Sequence, residues 1–265
     1  MNEPLLSVRS LRKVFGSRRS GDGLVAVDDV SFDLPQGGSL AIVGESGSGK
    51  TTTARIVAGL ETATGGEILL DGRPIAGSRS RRGGHGIQMV FQDPFGSLDP
   101  RQKVGNAISE ILAVRHTRAE RRAQVLKLLS EVGLDERHAG EYPANLSGGQ
   151  RQRVAIARAL AQQPRVLILD EAVSALDVSV QAQVLNLLID LRARLGISYL
   201  FVSHDLAVVR QVSDHCLVMQ HGRVVEHGAT GEVLDHPQDR YTRLLLDAVP
   251  RPGWTPRRRP SVSAV

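Results

Sequence analysis

Residues 41–53 read Ala-Ile-Val-Gly-Glu-Ser-Gly-Ser-Gly-Lys-Thr-Thr-Thr, and the fold of the chain is decided there. Ala41, Ile42 and Val43 form a short apolar run, the pattern of a buried strand. The run breaks at Gly44, and a helix opens near Lys50. Residues 44–51 fit G-x-x-x-x-G-K-[ST], a phosphate-binding loop. Gly44, Gly47 and Gly49 let the backbone curl so that successive N–H groups face inward as an anion nest. The helix N-terminus behind them adds about half a positive charge. Lys50 is placed to reach β- and γ-phosphates, and the Thr51 hydroxyl to ligate Mg2+. Taken alone, the stretch also reads as an ordinary Gly/Ser-rich strand-to-helix turn.

Bulk properties narrow the class. The 265 residues suffice for one large α/β domain or a core with appendages. Aromatics make up only 3%, so the core rests on Val, Leu, Ile and Ala, and platforms for stacking single-stranded nucleic acid are scarce. The formal charge is +5, and four arginines of that surplus (Arg251, Arg257, Arg258 and Arg259) lie in an acid-free C-terminal stretch. The rest of the chain is nearly neutral, which speaks against a nucleic-acid partner. Cys216 stands alone, which excludes an intrachain disulfide and any all-cysteine metal site within one chain; its apolar neighbours suggest a buried, inert thiol. No apolar run approaches the roughly 18 residues that span a bilayer, and the N-terminus lacks a signal-peptide core. These features lead to the expectation of a soluble, cytoplasmic protein.

Outward from the loop, residues 5–34 read as two strands separated by a polar loop, the second marked by Val25, Val27, Val30, Phe32 and Leu34. Phe15, at the leading edge of that loop, reads equally as core packing or as an aromatic platform. The helix after Lys50 stops near Gly59, and Asp71-Gly72 turns a hairpin. Residues 77–84 form a charged loop, and 86–92 a strand. From 103 to 133 the pattern is helical, with Val125, Leu128, Leu129 and Val132 as an apolar stripe. Leu146-Ser147-Gly148-Gly149-Gln150 then opens a basic helix. Val166-Leu167-Ile168-Leu169 predicts a strand buried on both faces, ending in Asp170-Glu171 where open α/β sheets place their ligands. A long helix follows, with Val180, Val184, Leu187, Leu188, Leu191 and Leu195 on one side and Gly196 as its stop. Residues 199–202 predict a second buried strand, finishing in Ser203-His204-Asp205. Ser203, Asp205 and Asp177 each read as helix caps when considered singly. Residues 215–228 suggest a hairpin turning at His221-Gly222, residues 230–248 two short helices interrupted by Pro237, and residues from 250 onward disorder.

The loop at 44–51, Gln92, the run 146–150, Asp170-Glu171, residues 174–177 and His204, in this order and spacing, resemble an ATP-binding-cassette (ABC) ATPase over about residues 5–248. The resemblance implies an α/β P-loop NTPase: a RecA-like core with an antiparallel β subdomain and an inserted α-helical signature subdomain. In those terms residues 1–250 are the ATPase domain, with the helical part at about 93–162, a C-terminal extension at about 229–250, and a disordered basic tail at 251–265. ATP and Mg2+ are the implied ligands. By the same resemblance Phe15 stacks on adenine. Gly44, Glu45, Ser46, Gly47, Ser48, Gly49, Lys50, Thr51 and Thr52 receive the phosphates, and Thr51, Gln92 and Asp170 serve Mg2+. Glu171 orients or deprotonates the attacking water, His204 contacts the γ-phosphate, and Gln92 senses metal or water. Ser147, Gly148, Gly149 and Gln150, with Asp177, complete the site of a second, head-to-tail subunit.

Finer motifs narrow the resemblance to the oligopeptide/dipeptide importer branch, which also holds nickel importers. These are Phe91-Gln92-Asp93-Pro94 with Ser97-Leu98-Asp99-Pro100, Ser174-Ala175-Leu176-Asp177-Val178-Ser179, and His236-Pro237 with Tyr241-Thr242-Arg243-Leu244-Leu245. That branch implies a homo- or heterodimer of ATPase subunits under two membrane-spanning permeases, on the cytoplasmic face of the membrane. An extracytoplasmic solute-binding protein acts indirectly. The alternative is a soluble ABC ATPase without a transport role. The chain departs from the branch in three places: Ala172 replaces the usual Pro, no C-terminal cysteine cluster is present, and Gln238-Asp239-Arg240 is inserted between Pro237 and Tyr241.

Overall fold

The computed structural model describes residues 4–16, 23–75, 86–92 and 98–248. The expected loop at 77–84 and the basic tail at 251–265 lie outside the described residues.

Two sheets organise the chain. The first is antiparallel, in the order β2-β1-β4-β5, built from β1 (Leu6–Phe15), β2 (Leu24–Leu34), β4 (Gly65–Leu70) and β5 (Arg73–Pro74). The second has the order β10-β9-β3-β8-β7-β6. It comprises β3 (Ser39–Val43), β6 (Ile87–Val90), β7 (Val166–Asp170), β8 (Ser198–Ser203), β9 (His215–Gln220) and β10 (Arg223–Ala229). Its strands run parallel except for the antiparallel edge pair of β9 and β10.

The period-2 alternation of side chains divides the core into two layers. Ala41, Val43, Leu167, Leu169, Tyr199, Phe201, Cys216 and Val218 point to one face. There they meet α2 (Val104–Leu112), α3 (Arg118–Glu131), α4 (Gly148–Leu160), α5 (Val178–Leu195) and α6 (Leu206–Val212). Leu40, Ile42, Val166, Ile168, Leu200, Val202, Leu217 and Met219 point to the other, against the first sheet and α1 (Lys50–Val57). Strands covered on both faces have no polar side to spare, which is why β3, β7 and β8 are buried throughout. The last described elements are α7 (Thr230–Asp235) and α8 (Arg240–Asp247), on either side of Pro237.

Three expectations need adjustment. The strand at 86–92 is shorter, Ile87–Val90. The alternation of β2 is interrupted: Val25 is exposed while Val27, Val30, Phe32 and Leu34 are buried. Two register shifts, with positive φ at Ser10 and Asp29, change the parity of the buried set between Val30 and Val27, and a third, between Lys13 and Val14, lies beside Val25. On α5, Leu195 is exposed and Leu185 takes the buried place; the chain reverses at Gly196 in the left-handed region, and Ile197 fills the core beyond it.

Cys216 is buried in β9, and burial pushes its thiol up to about 11. Two outcomes follow for the fold. In native buffer near pH 8, Cys216 reacts with a thiol reagent only on unfolding, because the thiolate is both rare and shielded; rapid stoichiometric labelling of folded protein would contradict this packing. Leu188→Ala, at a fully buried site, lowers unfolding free energy by about 2–5 kcal/mol in denaturant titration.

Candidate functional site

Parallel register brings the ends of three neighbouring strands together. Val43 of β3 pairs with Ser203 of β8, and Asp170 of β7 with Val202 of β8. Gly44, Glu171 and His204, each the next residue after its strand, therefore gather at one edge of the sheet. The loop at 44–49 leaves β3 and enters α1 with positive φ at Gly44, Gly47 and Gly49. Gly44 and Gly49 are also required by space. A Cβ at Gly44 would lie 2.2 Å from the Met219 carbonyl oxygen, and one at Gly49 2.4 Å from that of Ala26.

Lys50, buried in the first turn of α1, donates from Nζ to the carbonyls of Gly44 at 2.7 Å and Glu45 at 2.8 Å. Burial lowers its pKa, while Glu171, Asp170 and Glu45 oppose that shift. Thr51 Oγ1 donates to Asp170 Oδ1 at 3.1 Å. Asp170 is itself buried, and desolvation raises its pKa against the pull of that hydrogen bond and of Arg55 and Lys50. A hydroxyl beside a desolvated carboxylate is an oxygen-only donor pair, the kind a hard divalent cation takes. Of the remaining loop residues, Glu45, Ser46 and Gly47 are exposed, Thr52 is half-buried, and Ser48 Oγ is buried with no hydrogen-bond partner among the described residues.

Glu171 adopts a left-handed backbone with φ of 49°, a conformation costing about 1–2 kcal/mol for a residue other than glycine. Local bonds hold it there. Its N–H donates to the Val202 carbonyl at 2.9 Å, and its own carbonyl accepts from Ser174 N–H at 3.1 Å and Ser174 Oγ at 2.9 Å. The Glu171 carboxylate lies 3.2 Å from His204 Nδ1. Gln92 joins the group through Ser174, donating from Nε2 to its hydroxyl at 3.4 Å. A cavity of about 60 Å³, lined by Glu171, Ser174, Gln181, Ser203, His204 and Asp205 among others, has room for water beside the carboxylate. Ser174 and Gln181 were not among the sequence-predicted site residues. Ser174 belongs to the run 174–177 noted in the sequence, but its tie to the strained turn at Glu171 becomes visible only in the structure, because that bond goes to backbone.

The remaining candidates lie apart. Ser147 caps α4, accepting from Gln150 N–H at 3.3 Å, and the Gln150 side chain accepts Ser147 N–H at 2.9 Å. Gly148 is half-buried and Gly149 buried; a Cβ at Gly149 would lie 2.3 Å from Val180 Cγ1, so the two helix starts touch. Among the described residues no hydrogen bond joins residues 147–150 to residues 44–51. Asp177 caps α5 through Val180 N–H at 2.9 Å and accepts from Ser179 Oγ at 2.7 Å; its carboxyl is held low by those bonds. Asp205 likewise caps α6. Phe15 does not serve as core: it is 39% exposed at the end of β1, with the Lys13 ammonium 4.7 Å from its ring centre.

Among the described residues, no helix is long and apolar enough to cross a membrane. A family model described as ABC transporter matches residues 27–174. The oligopeptide transport ATP-binding protein OppF of Bacillus subtilis (strain 168) is 45% identical over 259 residues, covering 95% of this chain and 84% of OppF. The dipeptide transport ATP-binding protein DppF of Escherichia coli (strain K12) is 45% identical over 262 residues, covering 95% and 78%. A solved structure, the dimeric post-hydrolysis state of the ATP-binding cassette MJ0796 bound to ADP and Pi, matches with a TM-score of 0.73 at 28% identity, over 85% of this chain and 98% of that one. On the residues matched and the coverage of whole relatives, this chain belongs to the ABC transporter family, among its ATP-binding, ATP-hydrolysing members.

Proposed function

We propose that this chain is the ATP-hydrolysing subunit of an importer for peptides or a related small solute, working as a dimer that closes on ATP. The observation that carries this reading is the convergence of Lys50, Thr51, Asp170, Glu171 and His204 at the ends of three adjacent strands. The peptide assignment is supported by likeness to OppF and DppF, and the dimer by likeness to a dimeric cassette.

ATP phosphates lie in the nest of residues 44–52. Lys50 exchanges the Gly44 and Glu45 carbonyls for β- and γ-phosphate oxygens. Thr51, Asp170 and Gln92 are the residues that would hold Mg2+, which supplies charge neutralisation on the phosphates. Glu171, held by its strained backbone and by His204, takes the proton of the attacking water or orients it. His204, with a side chain 59% exposed, reaches the γ-phosphate from the open side. Phe15 stacks on adenine.

Ser147, Gly148, Gly149 and Gln150 stand at a second helix start, which among the described residues no hydrogen bond joins to this chain's own loop. They face the nucleotide of another subunit, beside Asp177. One ATP thus needs two chains, and its hydrolysis separates them. The same reading takes residues 1–250 as the ATPase domain, with about 93–162 as the helical part and about 229–250 as an extension. It places the dimer beneath two permeases at the cytoplasmic face of the membrane, fed indirectly by a solute-binding protein.

Glu171→Gln keeps equilibrium ATP binding and lowers steady-state turnover by about 10²–10⁴-fold; turnover at the wild-type rate contradicts the assignment. Asp170→Asn abolishes Mg2+-dependent hydrolysis. Because its folded pKa is raised, ionised Asp170 costs the nucleotide-free fold stability at pH 7, a cost that is relieved as pH falls through that raised pKa and is gone below the unfolded value. The melting temperature of nucleotide-free Asp170→Asn at pH 7 is therefore equal to or above wild type; a marked fall contradicts the electrostatic account. Purification of the native chain from membranes brings down two permeases, and their absence would argue against a transport role.

A further inference from the structure

The segment after β10 returns to the phosphate loop. Tyr241, in the first turn of α8, has its ring in the main core, and its phenol oxygen accepts the Glu45 backbone N–H at 2.9 Å, from 196 positions away. The inserted residues that break the compact branch motif build this approach. The Glu226 carboxylate on β10 accepts the N–H of Gln238 at 2.8 Å and of Asp239 at 3.0 Å. The Asp239 carboxylate caps α8 by accepting Tyr241 N–H at 2.7 Å. Arg243 donates to the carbonyls of Pro237 at 3.0 Å and Gln238 at 2.9 Å, closing the turn.

We infer that Tyr241 is a positioning residue for ATP binding, pinning the entry of the phosphate loop from the C-terminal helix. The inference rests on the reading of residues 44–51 as a nucleotide site. Glu45 is held at both ends of its backbone: Tyr241 takes its N–H, and Lys50 takes its carbonyl. When Lys50 turns to phosphate, the bonds at the Gly44 and Glu45 carbonyls are lost. Gly44 and Gly47, at positive φ and with no Cβ to restrict them, lend the loop little stiffness of their own. The Tyr241 bond does not involve Lys50, so it survives the exchange and keeps the nest in shape for the incoming anion. Preorganisation of this kind is expressed as affinity.

The test uses the full chain with Tyr241→Phe, which keeps the buried ring and deletes only the acceptor, and Glu226→Gln, which weakens the platform without touching the loop. For Tyr241→Phe the expected result is faster hydrogen exchange at the Glu45 amide in the nucleotide-free state. KM for ATP is expected to rise roughly 3- to 10-fold, the worth of one ordinary hydrogen bond, with kcat changing less than KM. Glu226→Gln moves both readouts in the same direction. Wild-type exchange at Glu45 and wild-type KM in both variants would overturn the inference. So would a lowered melting temperature with KM unchanged, which would assign Tyr241 to packing alone. If the wild-type chain itself binds no ATP, the functional reading fails and takes this inference with it; wild-type hydrolysis beside an unaltered Tyr241→Phe refutes this inference only.

Discussion

The registered ending of β3, β7 and β8 is the constraint on which the rest depends. Parallel pairing fixes Val43 beside Ser203 and Asp170 beside Val202, so a shift of either strand would separate Gly44, Glu171 and His204. The register is held because every residue of these strands is buried and alternates between two different core layers. A slip by one position would exchange the side chains facing the helices with those facing α1 and the antiparallel sheet. Packing in two layers therefore does chemical work: it sets the spacing between a lysine, a hydroxyl and two carboxylates.

The assembled site is electrostatically expensive. Lys50 and Asp170 are both buried, and burial moves the pKa of each toward its neutral form. Their mutual field and that of Glu171 offset part of this for the lysine, but Glu171 adds to the cost for Asp170. Backbone strain at Glu171 adds to the same side. Such costs are expected where a highly charged ligand will supply the missing counter-charges, and they are borne by the large apolar core around them. Local ties limit the damage: Lys50 to loop carbonyls, Thr51 to Asp170, Ser174 to Glu171, and Tyr241 to Glu45.

Much of this is legible in the local chemistry of the sequence. The loop at 44–51 is a contiguous pattern whose glycines have a backbone reason, and the runs at 166–169 and 199–202 are too apolar to be anything but buried. Capping by Asp177 and Asp205 is readable from residue type alone, whereas Ser203, which offers the same chemistry, ends β8 and leaves the cap to Asp205. What escaped depends on distant or backbone geometry. The bulges near Ser10 and Asp29 compensate one another across two strands, so neither strand reveals them alone. The places of Leu185 and Leu195 depend on where α5 ends relative to the sheet. Ser174 and Tyr241 stand in motifs, but their bonds to the Glu171 carbonyl and the Glu45 N–H carry no sequence signature; residues 238 and 239, a departure from the motif in sequence, bond to Glu226 ahead of the helix that carries Tyr241.

The central proposal is that one ATP is shared between two cassette subunits, in its homodimeric form two copies of this chain, with residues 147–150 of one completing the loop at 44–51 of the other. Sedimentation velocity of full-length Glu171→Gln, with and without ATP and Mg2+, measures this directly. The account predicts a monomer without nucleotide, a dimer at saturating ATP, and loss of that dimer, with ATP still bound, when Ser147→Arg is added. A monomer at saturating ATP, or a dimer indifferent to both ATP and Ser147→Arg, would contradict it.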